Sequence, residues 1–132
     1  SANKNLDFMR LKTVLSNFKE EAGEGLLSVD IFTLNSNASV ASYNSNSTVS
    51  NFYGNVFSSI SKKDSDCFYS SDLDFSLFTT SDNKSVFIGK IKNTDLMYGM
   101  LLNTDEIKLG LLLNVLMNDF LANISDCVTS KE

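Results

Sequence analysis

The chemistry open to this chain is narrow, because it contains no histidine. That removes the commonest general base, the Ser-His and Cys-His nucleophile pairs, and every histidine metal site. Its two cysteines, Cys67 and Cys127, lie outside any Cys-x-x-Cys motif. Two lone thiols with no evident secretion signal are expected to be reduced, in the cytoplasm, with a single disulfide as the alternative. Lys62 and Lys63 near Cys67 would favour its thiolate, but an incidental cysteine is the simpler reading. The acidic run Asp64, Asp66, Asp72, Asp74 invites a calcium loop. A loop starting at Asp64 needs glycine at its sixth position and glutamate at its twelfth, where Tyr69 and Phe75 stand. Gly23 and Gly25 fit neither phosphate-binding glycine pattern. No cofactor and no metal are therefore expected, and an enzyme is not the favoured class.

One pattern of small residues suggests association instead. Ser50, Gly54 and Ser58 recur every fourth position, with Ser61 beside them. On a helix this stripe lets a second backbone approach closely. A glycine in a helix costs roughly 1 kcal/mol against alanine, which close packing would offset. A solvated face in a serine-rich chain is the plainer alternative. The strand-like stretch Leu73 to Thr79 offers a second contact if it is a sheet edge; the alternative is that Asp72 and Asp74 are charges that block that edge. Ser50, Gly54, Ser58, Ser61, Asp72, Leu73, Asp74 and Phe75 are thus the candidate dimer-interface residues.

The elements that must carry these residues follow from periodicity. Phe8, Leu11, Val14, Leu15, Phe18 and Ala22 make one apolar stripe over 5–22, stopped by the glycines at 23 and 25. Residues 26–34 and 39–43 alternate as a strand pair around an asparagine-rich turn at 35–38. The spacing predicts a helix over 48–63, capped by Ser47. Leu73, Phe75 and Leu77 predict a strand with one buried face, followed by a strand over 85–92 and one over 96–102 that is apolar on both faces. A strongly apolar helix over about 105–124, capped by Thr104, would close the chain, with 125–132 a frayed tail.

Leu, Ile, Val and Phe supply 41 of 132 residues, well above the ~20% floor below which chains stay disordered. The length fits one domain, 1–132, with its ordered core over 5–124. The order α-β-β-α-β-β-β-α predicts an α+β three-layer sandwich, a five-stranded and mostly antiparallel sheet with helices on both faces. No run approaches the ~20 apolar residues of a membrane span. No basic-then-apolar N-terminal segment suggests a signal peptide. A net charge of −5, with Arg10 the only arginine, argues against nucleic acid and anionic membrane. Sequons at Asn37, Asn46, Asn83 and Asn123 are what 15 Asn and 20 Ser produce by chance.

Four segments together resemble the bacterial and archaeal members of the Roadblock/dynein light-chain family: Gly25-Leu-Leu-Ser-Val-Asp30, Ser39-Val-Ala-Ser42, the helix Val49 to Ile60, and Leu109-Gly-Leu-Leu-Leu-Asn-Val-Leu116. The similarity spans residues 6–124. The family's usual Asp-Gly turn is missing after Asp30, where Ile31-Phe-Thr-Leu-Asn35 follows. Profilin-like, longin-like and PAS or GAF domains share the same layered logic. The resemblance implies a non-catalytic homodimeric regulator or scaffold, cytoplasmic, that binds a small Ras-like GTPase or NTPase. It also implies dimer contacts through 48–63 and 71–79. The alternative is a PAS- or GAF-like sensor holding a small ligand between sheet and helix, with Tyr53, Tyr98 and Asp30 as its donors and acceptors.

Overall fold

The computed structural model describes residues 4–61 and 73–130. Helix α1 (Phe8–Ala22) begins where the Asp7 carboxylate accepts the Arg10 N–H at 3.0 Å, and ends at Gly23 with φ of 71°. Its buried line is Leu11, Val14, Leu15, Phe18 and Ala22, as the stripe predicts; Phe8, at the first turn, is exposed. Strands β2 (Leu26–Thr33) and β3 (Ser39–Tyr43) follow, then α2 (Ser47–Ser61). After these come β4 (Phe75–Thr79), β5 (Lys84–Lys90) and β6 (Leu96–Asn103).

The five strands form one sheet in the order β3-β2-β6-β5-β4, antiparallel at every pairing. Asparagines supply the left-handed residue of its turns: Asn37 between β2 and β3, Asn83 between β4 and β5, Asn93 between β5 and β6. β6 sits at the centre and is buried along most of its length, as its two apolar faces predict. One face carries Val29, Ile31, Phe87, Tyr98 and Met100 beneath α1 and the closing helix. The other carries Phe32, Ile88 and Met97 beneath α2, through Tyr53 and Phe57. That is the predicted three-layer sandwich.

The chain's end departs from expectation in three ways. The closing helix starts at α3 (Leu109–Leu111) rather than after Thr104. Residues 104–106 are a turn tied to the β4–β5 loop: the Thr104 N–H and hydroxyl both donate to the Asn83 carbonyl at 2.8 Å. The buried Ile107 fixes this detour, because it packs against the Cα of Gly25, where any side chain would collide with it.

A π-helical segment (Leu112–Leu116) then precedes α4 (Met117–Asp126). Leu112, Leu116, Phe120 and Ile124 are all buried. Steps of four drift by about 40° each on an ideal α-helix. The wider π turn rotates less per residue and brings the line back onto the core.

Lastly, residues 125–132 are not a frayed tail over the part described. Cys127 is fully buried, and β7 (Val128–Ser130) pairs antiparallel with β1 (Lys4–Leu6) in a separate two-stranded ribbon. Arg10 reinforces the junction by donating to the Asp126 carbonyl at 3.1 Å.

Candidate interaction surfaces

Helix α2 begins where the Asn46 side chain, rather than Ser47, accepts the Val49 N–H at 3.2 Å. Its sheet-facing side is Ser50, Tyr53, Gly54 and Phe57, all buried. The Ser50 hydroxyl donates to the Ser47 carbonyl at 3.2 Å. A Cβ on Gly54 would strike the Asn37 side chain from the β2–β3 turn. These two stripe residues are therefore covered by the chain's own hairpin and sheet. Ser58 is exposed and Ser61 half-buried, further along the same side. On the outward side Phe52 is 57% exposed among the exposed polar residues Thr48, Asn51, Asn55 and Ser59, while Val49 and Val56 are half-buried on the Phe32–Phe57 cluster.

Strand β4 is an edge, as expected for a pairing strand. Asp72 lies outside the described residues. Leu73 is half-buried on the α2-side cluster and Asp74 is exposed. The expected buried face of Leu73, Phe75 and Leu77 is open: Phe75 is 44% and Leu77 39% exposed. The reason is the reach of the helical layer, whose core ends at β5 with Phe87. Phe75 leans on the Phe87 ring, centroids 5.0 Å apart, and on its register partner Gly89. Phe78 and Val86 occupy paired positions on the opposite face, the side on which α2 packs. Phe78 is 39% exposed. The exposed large apolar side chains of these two elements are thus Phe75, Leu77 and Phe78 on β4 and Phe52 on α2.

Buried polar groups lie elsewhere. Asp30, on the α2 side of β2, is fully buried and accepts the hydroxyls of Ser39 at 2.6 Å and Ser45 at 2.7 Å. Burial pushes its carboxyl above the ordinary 3.8, and the two serine bonds pull it back. Burial also raises Tyr53, which bonds Ser28 and feels the charge of Asp30. This network clips β2 to β3 and to the lead-in of α2. Asp30 itself is out of contact with solvent, while Ser39 is exposed and Ser45 half-buried. Tyr98 sits on the other face, raised first by burial and then by the charge of Asp74. It lines a cleft of about 570 Å³ with Leu121, Ser125 and the β5–β6 turn. Of the three polar groups proposed for a ligand pocket, Tyr98 alone reaches that cleft.

The sequence matches no protein-family model and no curated protein. Solved structures do match in shape. MglB from Myxococcus xanthus superposes with a TM-score of 0.75 at 8% identity, covering 91% of this chain and 88% of that one. The Roadblock/LC7 domain from Streptomyces avermitilis gives 0.72 at 9%, covering 87% and 94%. The gliding protein MglB from Thermus thermophilus gives 0.75 at 7%, covering 93% and 91%. The chain has a Roadblock-type fold.

The segments 48–63 and 71–79 correspond, over the described residues, to α2 and to β4 with its lead-in. Other chemistry is sparse. Among the described residues no group of three or more acidic or cysteine side chains could hold a metal ion, and no helix is long and apolar enough to cross a membrane. Lys90 lies over the Phe57 ring at 5.7 Å. Lys62, Lys63, Asp64, Asp66 and Cys67 fall outside the described residues. The Cys127 thiol donates to the Asn123 carbonyl and is raised chiefly by burial, so it is no thiolate nucleophile. The exposure of Phe52 was not readable in the sequence, because it shares the apolar face of the helix with Val49 and Val56; nor was that of Phe78, because it breaks the alternation of β4.

Proposed function

We propose that this chain is a non-catalytic homodimeric regulatory or scaffold module whose partner is a small Ras-like GTPase or related NTPase. The observation that carries the dimer is the bare β4 edge, with Phe75 and Phe78 exposed on its two faces, together with exposed Phe52 on α2. Unpaired strand edges recruit other strands, and apolar patches seek cover. Two β4 edges meeting antiparallel would join the sheets, and the outer sides of two α2 helices would pack above the seam. Leu73, Asp74 and Phe75 then lie at the seam, whereas Ser50, Gly54, Ser58 and Ser61 lie on the side of α2 turned to the β2–β3 hairpin and support the helix from behind. One matching structure is described as MglB with tetrameric arrangement, which favours self-association as a habit of the fold.

The test of the dimer is solution mass by light scattering, for wild type and for Phe52→Asp/Phe78→Asp. We expect twice 14.6 kDa for wild type and a folded single chain for the variant. A monomeric wild type would overturn the dimer. The GTPase partner rests on the Roadblock resemblance. It is tested by titrating small Ras-like GTPases, loaded with GDP or a GTP analogue, and reading affinity and hydrolysis. Equal and negligible binding across both states would remove it, since a regulator must prefer one state.

The cleft lined by Tyr98 favours one second reading, a small-ligand sensor. Its ~570 Å³ lies within the usual size range of ligand pockets. A monomeric wild type that gains thermal stability with a small apolar ligand would favour this reading.

A further inference from the structure

The sheet has a second edge, β3, at the end remote from β4. Its backbone direction can be read from two bonds. The Thr33 N–H donates to the Ala38 carbonyl and the Leu27 carbonyl accepts the Asn44 side chain, so odd-numbered β2 residues face β3. Val29 and Ile31 therefore bond Tyr43 and Ala41, their register partners. Ser42, between them, points its N–H and C=O away from the sheet. β3 carries no proline and no charge, the usual guards of an exposed edge.

Beside this edge runs a groove of about 340 Å³ between β3 and α1. Leu15, Ala41 and Tyr43 line it together with Lys12 and Lys19, and no acidic residue does. That is a local reversal in a chain of net charge −5. Lys19 is held in place: its ammonium donates to the Gly23 carbonyl at 2.8 Å and the Leu26 carbonyl at 3.0 Å, and lies over the Tyr43 ring at 5.1 Å. An ammonium has three donors, so these two bonds leave one for a ligand. Lys12 is exposed, two turns back on the same side of α1 and about 10 Å away along the axis.

From this geometry we infer that the β3 edge is a docking site for an extended acidic segment of a partner protein, bound as a sixth strand. Its backbone pairs with Ser42. Its side chains alternate, so every second one falls over the α1 groove. Glutamates at those positions meet Lys12 and Lys19, while their methylenes rest on Leu15 and Tyr43. This site is independent of the β4 seam, and a β4-joined dimer would carry one such edge at each end.

The probe is a capped eight-residue peptide of alternating glutamate and threonine, with a lysine-threonine peptide as control. Each is titrated into the ¹⁵N-labelled full chain. The acidic peptide is expected to shift amides of 39–43 and 12–19, and the basic one to shift none of them. Lys12→Glu should weaken binding by about fivefold, the scale of a reversed exposed ion pair. Ser42→Pro should abolish binding with the folded spectrum intact, because proline is tolerated where an edge N–H points outward. Equal response to both peptides, shifts confined to β4, or no shift at millimolar peptide would overturn the proposal. So would a change of solution mass in Ser42→Pro, which would give the edge to a second copy of the chain.

Discussion

Gly99 has no side chain because the Tyr53 ring lies across it, and a Cβ there would enter that ring. Gly99→Ala must displace Tyr53 from the centre of the α2-side core. We expect a loss of about 1–3 kcal/mol, read by urea denaturation. Gly54 poses the same problem against Asn37. Gly54→Leu gains roughly 1 kcal/mol in helix propensity. The collision outweighs this gain, so the midpoint should fall; a higher midpoint would show that the hairpin moves aside. Asp30 gives a pH signature at this scale. Its folded carboxyl binds its proton more tightly than the unfolded one, so the folded state holds more protons between 3.8 and the raised value. Stability from this group is therefore greatest below 3.8 and falls as pH rises through the folded pKa. Urea curves at pH 4 and pH 7 should show that decline in wild type, and Asp30→Asn should lack it.

Among the elements, the first helix shows how local signals set boundaries. The Asp7 cap meets α1 at its start, and Asp7→Ala should cost about 1 kcal/mol by chemical denaturation. The hairpin turns were equally legible, because asparagine tolerates the left-handed backbone that Asn37, Asn83 and Asn93 adopt. What periodicity left open was the identity of the covering group. The alternation in β4 marks an apolar face, but not that the helical layer ends one strand short of it. The small-residue stripe of α2 marks a close approach, but not that the approaching group is Asn37, 17 positions earlier. The start of the closing helix was misplaced because Ile107 obeys the helical repeat yet is drawn out of it by Gly25. Such facts depend on contacts distant in sequence, and no local window contains them.

For the whole molecule, the two sheet edges divide the surface. If β4 is the seam of a dimer, the melting temperature should rise with protein concentration, by mass action, and Phe52→Asp/Phe78→Asp should abolish that dependence. Scanning calorimetry over a hundredfold range of concentration measures it. The three-layer order was readable before any coordinate, since strands apolar on both faces demand helices on both sides. The ribbon of β1 and β7 was not, because three-residue strands fall below any periodic signal. Its register sets Lys4 opposite Ser130. Residues opposed in an antiparallel pair lie about 4.5–5.5 Å apart, close enough for a two-residue turn to bridge. The order of the chain is therefore separable from its shape. With Ser130 joined to Lys4 through Asn-Gly and an opening at Ser81–Asp82, a permuted domain running from Asp82 round to Ser81 should reach the same fold, with Ser130 and Lys4 flanking the tip of a hairpin.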